Sequence, residues 1–193
     1  MNTTAIDPLE VVRYFYPADD DFRRMLLKHS MQVRDKALAI LDAQGGDVPG
    51  IQRHVLSAAA MLHDIGIGSC HVPSILCNGS EPYLAHGIIG GRMLREYGRC
   101  NGCCMEQYAR VCERHTGAGL TAGEIIAGKL PLPVQDWLPE NNLEKLVCLA
   151  DKFFSKSGDM QEKSLDQVRA SLAKFGADTS RRLEEMISFF KCG

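Results

Sequence analysis

Apolar residues recur at intervals of three and four along most of the chain, a pattern typical of amphipathic helices. In the segment 20–43 they are Phe22, Met25, Leu26, Val33, Ala37, Leu38 and Leu41. Acidic residues at 19–21 open this predicted helix, and Gly45 and Gly46 close it. Residues 51–64 form a second predicted helix, so apolar that most of its surface should be buried.

The rest of the chain continues the helical pattern after a predicted loop at 65–80. Further helices are predicted over about 82–97, over about 104–115, from Thr121, from Asn141 to about 156, and as one or two helices within about 161–190. Thr121-x-x-Glu124 and Asn141-x-x-Glu144 are capping-box sequences that open two of them. With no convincing strand and no internal repeat, the predicted fold class is all-α, in one domain over 1–193.

Glycines mark the places where these helices end or meet. Residues 98–103 are predicted to be a turn, and Gly87, Gly90 and Gly91 would let another element approach the helix over 82–97 closely. After the second helix, Gly66 and Gly68 would let the chain turn away and leave room for a substrate.

The composition excludes several classes of protein. The chain has 193 residues, 45% hydrophobic and 24% charged, with a formal net charge of -2, so it is globular and carries no electrostatic signature of DNA binding. Its N-terminus lacks the basic start and apolar run of a signal peptide, and no apolar segment approaches the roughly 20 residues that span a membrane. A cytoplasmic protein is therefore expected.

The eight cysteines are expected to be reduced thiols, because a disulfide framework belongs to short secreted chains. Cys112 and Cys148 lie among apolar residues and should be buried as small hydrophobes. Cys100-x-x-Cys103 has half the spacing of a structural zinc site, to which Cys104 or Cys112 could contribute. Such a zinc site, a reversible disulfide and a plain turn carrying thiols all remain open.

Six ionisable residues lie on or at the ends of predicted helices, several of them on apolar faces. They are His29, His63, Asp64, His86, His115 and Asp151. Singly, each histidine is more simply a hydrogen-bonded core or cap residue, and His115 could complement a helix dipole. Asp151 could be a buried partner of Lys152 or of an arginine. Together the six residues favour a shared metal site, since buried charges are costly unless they are paired or bound to a cation. His54 is expected at the surface, whereas His71 could reach a substrate.

These residues resemble the signature of the HD-domain superfamily of metal-dependent phosphohydrolases. The signature consists of a histidine, a His-Asp pair and a distant aspartate, which here are His29, His63-Asp64 and Asp151, and "HDIG" matches the namesake variant. The segments "LAHGIIGGRML", "ERHTGAGLTAGEI" and "LADKFFSK" are similar to those that flank further ligands in two-metal members. The resemblance covers about 20–156, with 157–193 as a C-terminal helical extension.

The resemblance implies a compact helical bundle around one or two divalent transition-metal ions. His29, His63, Asp64 and Asp151 would hold the first ion, and Asp64 would bridge to a second ion held also by His86 and His115. Imidazole and carboxylate ligands suit Fe, Mn, Zn, Ni or Co, and Mg is possible.

The implied activity is hydrolysis of a phosphate ester or anhydride, most simply of a nucleotide, by a metal-activated water, with Asp64 as the catalytic residue. Ile67 stands where many HDIG proteins carry a phosphate-binding lysine, so either Lys152, Arg92 or Lys156 binds the phosphate or the substrate differs. No GYP motif follows, which does not support a cyclic-dinucleotide phosphodiesterase.

Two other functions remain open at this point. The same ligands permit a di-iron oxygenase, and a module that binds a nucleotide without catalysis is the other alternative. The expected partner is a phosphorylated small molecule or nucleotide, with no membrane contact, and the sequence does not define the oligomeric state.

Overall fold

Nine α-helices form the part of the chain that a computed structural model describes, residues 6–192. They are α1 Pro8–Phe15, α2 Asp21–Ala43, α3 Arg53–Leu62, α4 His86–Asn101, α5 Glu106–Arg114, α6 Ala122–Ala127, α7 Asn142–Asp151, α8 Leu165–Ala173 and α9 Ala177–Phe189. The prediction of an all-α fold is confirmed. Within the described range no helix is long and apolar enough to cross a bilayer.

The strands of the described part of the chain lie in the connection between α3 and α4, a segment that the sequence predicts to be only a loop. The strands β1 His71–Val72 and β2 Cys77–Asn78 pair in antiparallel register. Single 3-10 turns lie at Ile67–Ser69, Pro73–Ile75 and Tyr83–Ala85. Two-residue strands are too short to show the alternating pattern by which a strand is recognised in a sequence.

Several helix ends differ from the predictions. The turn predicted at 98–103 is wrong in its first half, because α4 continues to Asn101 and ends at Gly102, whose φ is 66°. Helix α7 ends at Asp151 rather than near 156. Helix α1 was not predicted, although Asp7 accepts a hydrogen bond from the Leu9 backbone N–H and Pro8 follows it, which is a typical helix start.

The two predicted capping boxes form to different extents. At α6, the Thr121 and Glu124 side chains each accept a hydrogen bond from the other residue's backbone N–H, so this box is complete. At α7, Asn141 caps the Glu144 backbone N–H, but Glu144 accepts from the backbone N–H of Glu140 instead of Asn141.

The larger of two hydrophobic clusters runs from Val11 in α1 to Phe190 just after α9, and the smaller one consists of Leu26, Ile67, Ile75 and Cys77. Helices α3 and α7 lie at the centre of the larger cluster, and most of their side chains are buried, as the sequence predicts for α3. The extension after 157 contributes Val168, Leu172 and Leu183 to this core. The division of the chain into one domain over 1–193 stays a prediction.

Two glycines allow the backbones around the His-Asp pair to touch. A Cβ on Gly87 would collide with the Cys112 carbonyl of α5, which confirms the close approach predicted at this position. A Cβ on Gly66 would collide with the His86 carbonyl and with Gly90 of α4. Gly66 is therefore needed for helix packing, and the expectation that it leaves room for a substrate is wrong.

Gly68 also serves packing. A Cβ there would meet the aromatic rings of Tyr16 and Phe22. The Tyr16 hydroxyl donates to the Ile65 carbonyl at 2.5 Å, so the residues before α2 hold the chain directly after the His-Asp pair.

Candidate metal centre

Five separate segments bring the six predicted ligands together in the interior. His29 lies in α2, His63 and Asp64 directly follow α3, His86 begins α4, His115 follows α5, and Asp151 ends α7. All six are buried, with Asp151 the most exposed at 7%. Their possible ligand atoms form two sets within 4.8 Å, one of His29, His63, Asp64 and Asp151 and one of Asp64, His86 and His115.

Asp64 joins the two sets through its two carboxylate oxygens. Its Oδ2 lies 3.3 Å from His29 Nε2 and 3.2 Å from His63 Nε2. Its Oδ1 lies 3.4 Å from His86 Nε2 and 3.3 Å from His115 Nε2. One oxygen therefore faces each set, which is the arrangement of a bridging carboxylate.

Backbone carbonyls fix the orientation of three of the histidines. The Nδ1–H groups of His63, His86 and His115 donate to the carbonyls of Ala60 at 2.7 Å, Tyr83 at 2.6 Å and Cys112 at 2.7 Å, each three residues earlier. A carbonyl only accepts, so each Nδ1 carries a proton and each Nε2 is turned into the centre. This support of the outer ring nitrogen is usual for metal-binding histidines.

His29 Nε2 and Asp151 Oδ1 lie at hydrogen-bonding distance, 3.0 Å, but other inward-facing atoms lack such a partner. His86 Nε2 and His115 Nε2 lie 3.0 Å apart, although the backbone contacts leave a lone pair on each. His63 Nε2 and Asp64 Oδ1 are buried and make no hydrogen bond in the described part of the chain. A shared cation would relieve the repulsion of facing lone pairs, so the donor set fits a metal ion.

Charges in the centre shift the pKa values in opposite directions. Burial opposes the charged form of Asp64, but Lys156 and His63 outweigh it and hold the pKa of Asp64 well below its usual value. Burial also lowers the pKa of His63, yet Asp64 and Asp151 raise it overall to about 9. For His86, burial and the neighbouring His115 lower the pKa to about 3.

A cavity of about 910 Å³ opens beside the centre and is lined by His86, His115, Asp151, Lys152 and Lys156 among others. Lys152 Nζ donates to Asp151 Oδ2 at 2.7 Å and to the His115 carbonyl at 2.9 Å, while Lys156 Nζ lies 2.8 Å from Asp64 Oδ2. The structure thus brings both predicted lysines to the site, each next to a ligand carboxylate.

Other candidates lie elsewhere. Arg92 is exposed on α4 and does not line the cavity, because its position on the helix is turned away from the face that carries His86. His71 is exposed on β1 and does not line the cavity, and His54 is exposed as predicted.

The cysteines are free thiols in the structure, and Cys112 and Cys148 are buried as predicted. Cys100 and Cys104 are exposed and Cys103 is half-buried. Within residues 6–192 no cysteine belongs to a group that could hold a metal ion, so the structure gives no support to zinc at this segment.

The C-terminal side of the cavity was missed by the sequence analysis. Lys163, Leu172 and Phe175 line it, and none of them carries a recognisable motif. The only signal available was the amphipathic pattern after 161, which shows a helix with a buried face but not what that face contacts.

Comparison with known proteins defines the family and corrects the predicted activity. The sequence model of the HD domain matches residues 26–155. Two relatives are tRNA (cytidine(56)-2'-O)-methyltransferases: that of Picrophilus torridus is 33% identical over 72% of this chain, and that of Thermoplasma volcanium 30% over 91%. An uncharacterized protein of Methanocaldococcus jannaschii is 32% identical over 65% of this chain and 64% of its own length. No solved structure gives a significant match.

The prediction of a metal-dependent phosphohydrolase is contradicted by these relatives, whose names describe tRNA methylation, a different class of enzyme. The chain spans 33% and 44% of the lengths of the two methyltransferases. The error has a simple origin, since the ligand signature reports how a metal is held and not which reaction the site serves.

Proposed function

Because this chain belongs to the HD-domain family, we propose that it is a metal-binding module that supports the 2'-O-methylation of tRNA. The observation that carries the metal-binding part is the pair of overlapping ligand sets around Asp64. The link to tRNA methylation rests on the two named relatives, of which the chain matches less than half.

One or two divalent transition-metal ions are the proposed cofactor. His29, His63, Asp64 and Asp151 would hold one ion, and Asp64, His86 and His115 would hold the other. Imidazole and carboxylate groups favour Fe, Mn, Co, Ni or Zn over Ca. A divalent ion at such a site polarises ligand oxygens and lowers the pKa of a bound hydroxyl group or water.

The two lysines next to the ligands position the carboxylates. Lys152 holds Asp151 against the His115 backbone, and Lys156 pairs with the oxygen of Asp64 that faces His29 and His63. Both lysine side chains are 10% exposed, and their charge offsets that of the carboxylates. We therefore propose that Lys152 and Lys156 hold the metal-binding carboxylates in place and also contact the small molecule that binds in the cavity.

The proposed ligand of the cavity is a small phosphorylated molecule. The cavity volume lies near the upper end of the range for small-molecule sites, and it places lysines beside the metal ligands. Lys152, Lys156 and Lys163 give the cavity three positive charges for the anionic group of such a molecule.

The test compares variants of two histidines, His63 and His54, in strains of the organism that produces this protein. A strain that lacks the gene, and a strain that produces His63→Ala, should both lose 2'-O-methylation of cytidine 56, measured by mass spectrometry of digested tRNA. His54→Ala is the matched control, since His54 is exposed on α3, the helix that His63 directly follows, and it should leave methylation unchanged. Full methylation in the strain that lacks the gene would overturn the proposed role.

A further inference from the structure

Three lysines line the cavity, and one of them differs from the others in its partners. Lys152 and Lys156 contact Asp151 and Asp64, so their charges are balanced by ligand carboxylates. Lys163 forms no ion pair within residues 6–192, and its Nζ lies 3.5 Å from the carbonyls of Lys152 and Phe154. It is therefore the cavity lysine whose positive charge is not neutralised by the described part of the chain.

The backbone holds Lys163 at this place. It lies between α7 and α8, and its N–H donates to the Phe153 carbonyl at 2.8 Å. The side chain is half-buried, and burial lowers the pKa of Lys163. An ammonium group has three donors, and two contacts at 3.5 Å are at the long limit of hydrogen bonding. Lys163 can consequently donate a stronger hydrogen bond to an anionic group in the cavity.

Carboxylates on the cavity wall do not compete for this lysine. Of the residues that line the cavity, only Glu124 and Asp151 carry one. Asp151 pairs with Lys152, and Glu124 accepts hydrogen bonds from Arg182 at 2.7 and 3.0 Å. The site thus favours an anionic ligand.

The wall beyond the lysines is apolar. Leu120, Leu130, Leu172 and Phe175 line it, and Phe175 remains 61% exposed although it is a large aromatic residue. Leu172 is already buried, whereas a ligand that covered Leu120, Leu130 and Phe175 would remove apolar surface from water, which is favourable. Lys163, Leu172 and Phe175 all lie after residue 155, where the match to the HD family ends.

We infer that Lys163 and the apolar wall of the same cavity bind an anionic small molecule with an apolar body, the anionic group at Lys163 and the body against Phe175. This inference rests on the proposed function, because it assigns the ligand class of the same cavity. It also makes the C-terminal extension the part of the chain that selects the ligand.

Two phosphonates with the same anionic group test the role of Lys163 and the role of the apolar wall separately. The protein as purified is titrated with phenylphosphonate and with methylphosphonate by calorimetry, and phenylphosphonate should bind roughly tenfold more tightly because its ring covers the apolar wall. Lys163→Met should weaken both ligands roughly tenfold, as expected for loss of a charged hydrogen bond. Lys28→Met is the control, since Lys28 is exposed on α2 and does not line the cavity.

Phe175→Ala tests the apolar wall without disturbing the core, because Phe175 is largely exposed. It should weaken phenylphosphonate about fivefold and leave methylphosphonate unchanged. The inference would be overturned if Lys163→Met bound both phosphonates with wild-type affinity. It would also be overturned if the wild type bound the two phosphonates equally tightly, or bound neither. Displacement of phenylphosphonate by tRNA would overturn the small-molecule assignment in favour of an RNA nucleotide.

Elemental analysis of the same samples separates this inference from the proposed function. Lys163→Met should keep the wild-type metal content, since Lys163 contacts no predicted ligand side chain. Absence of metal from the wild type would contradict the metal-binding module, whereas the phosphonate titrations decide the role of Lys163 in either case.

Discussion

The metal centre and the C-terminal wall of the cavity differ in how far their side chains are buried and in how firmly other groups hold them. At the centre, buried polar atoms are held by backbone carbonyls and lysines, and Asp64 and His63 have no exposed surface. At the wall, Phe175 is 61% exposed, and Lys163 is held by two long contacts. The polar atoms of the centre are thus buried and held by other groups of the chain, whereas the wall keeps exposed apolar surface and a lysine without a carboxylate partner in the described residues.

Removal of the metal should have the largest effect on stability. A bound ion at about 1,000 times its Kd stabilises the folded state by about 4 kcal/mol, which corresponds to about 8–16 °C in Tm for a chain of this size. We therefore expect chelation to lower the Tm by that amount, measured by calorimetry. An unchanged Tm after complete chelation would mean that no metal ion stabilises the centre, and the proposed difference between the centre and the wall of the cavity would be wrong.

Gly66→Ala should destabilise the centre through its packing rather than its charges. The added methyl group meets the α4 backbone, which cannot move aside without displacing His86, so we expect a loss of about 3 kcal/mol in urea denaturation. Gly123→Ala in α6 is the control, because its Cβ would meet only the Thr121 hydroxyl at 3.8 Å. Equal stability of the two variants would show that the helices do not need this close contact.

Metal binding should release a proton from His63. The pKa of His63 is raised to about 9, so in the metal-free protein its imidazole is charged at neutral pH, and an ion has to displace that proton. Affinity should rise by up to about tenfold per pH unit between pH 7 and 9 and level off above the pKa. Calorimetry in two buffers of different ionisation enthalpy detects the released proton, and heats that do not depend on the buffer would contradict the assignment.

Phe175→Ala should have the smallest effect on stability. Phe175 is largely exposed, so its truncation should change the free energy of unfolding by less than about 0.5 kcal/mol. Leu146→Ala in the fully buried part of α7 is the reference, with an expected loss of 2–5 kcal/mol, roughly. A loss of similar size for Phe175→Ala would mean that the wall belongs to the core and is not open to a ligand.

The sequence predicted that the six candidate metal ligands lie together because these side chains lie at helix ends or on buried helix faces that the apolar periodicity indicates. The pairing of His63 with Asp64 at a helix end and the inward position of His29 can both be read from spacing, and the structure brings all six predicted ligands together. Arg92 shows the limit of this reasoning, because a charge near a motif in sequence can face solvent on the other side of its helix.

The parts that could not be predicted depend on distant contacts. Lys163 reaches the cavity only because its segment is anchored to the end of α7 at Phe153, and nothing local marks that contact. Gly66 resembles an ordinary turn glycine, yet its role comes from the backbone of α4 twenty or so residues later. The reaction was mispredicted for the same reason, since ligand spacing describes the centre and not its partners.

The metal content of the Asp64→Ala variant tests the central claim most directly, because Asp64 is the residue that both ligand sets share. By elemental analysis, the wild type and the His54→Ala control should carry the same one or two divalent ions per chain, and Asp64→Ala close to none. If the wild type carries two ions, His86→Ala should keep about one. A wild type without stoichiometric metal, or an Asp64→Ala variant that keeps the wild-type metal content, would contradict the account.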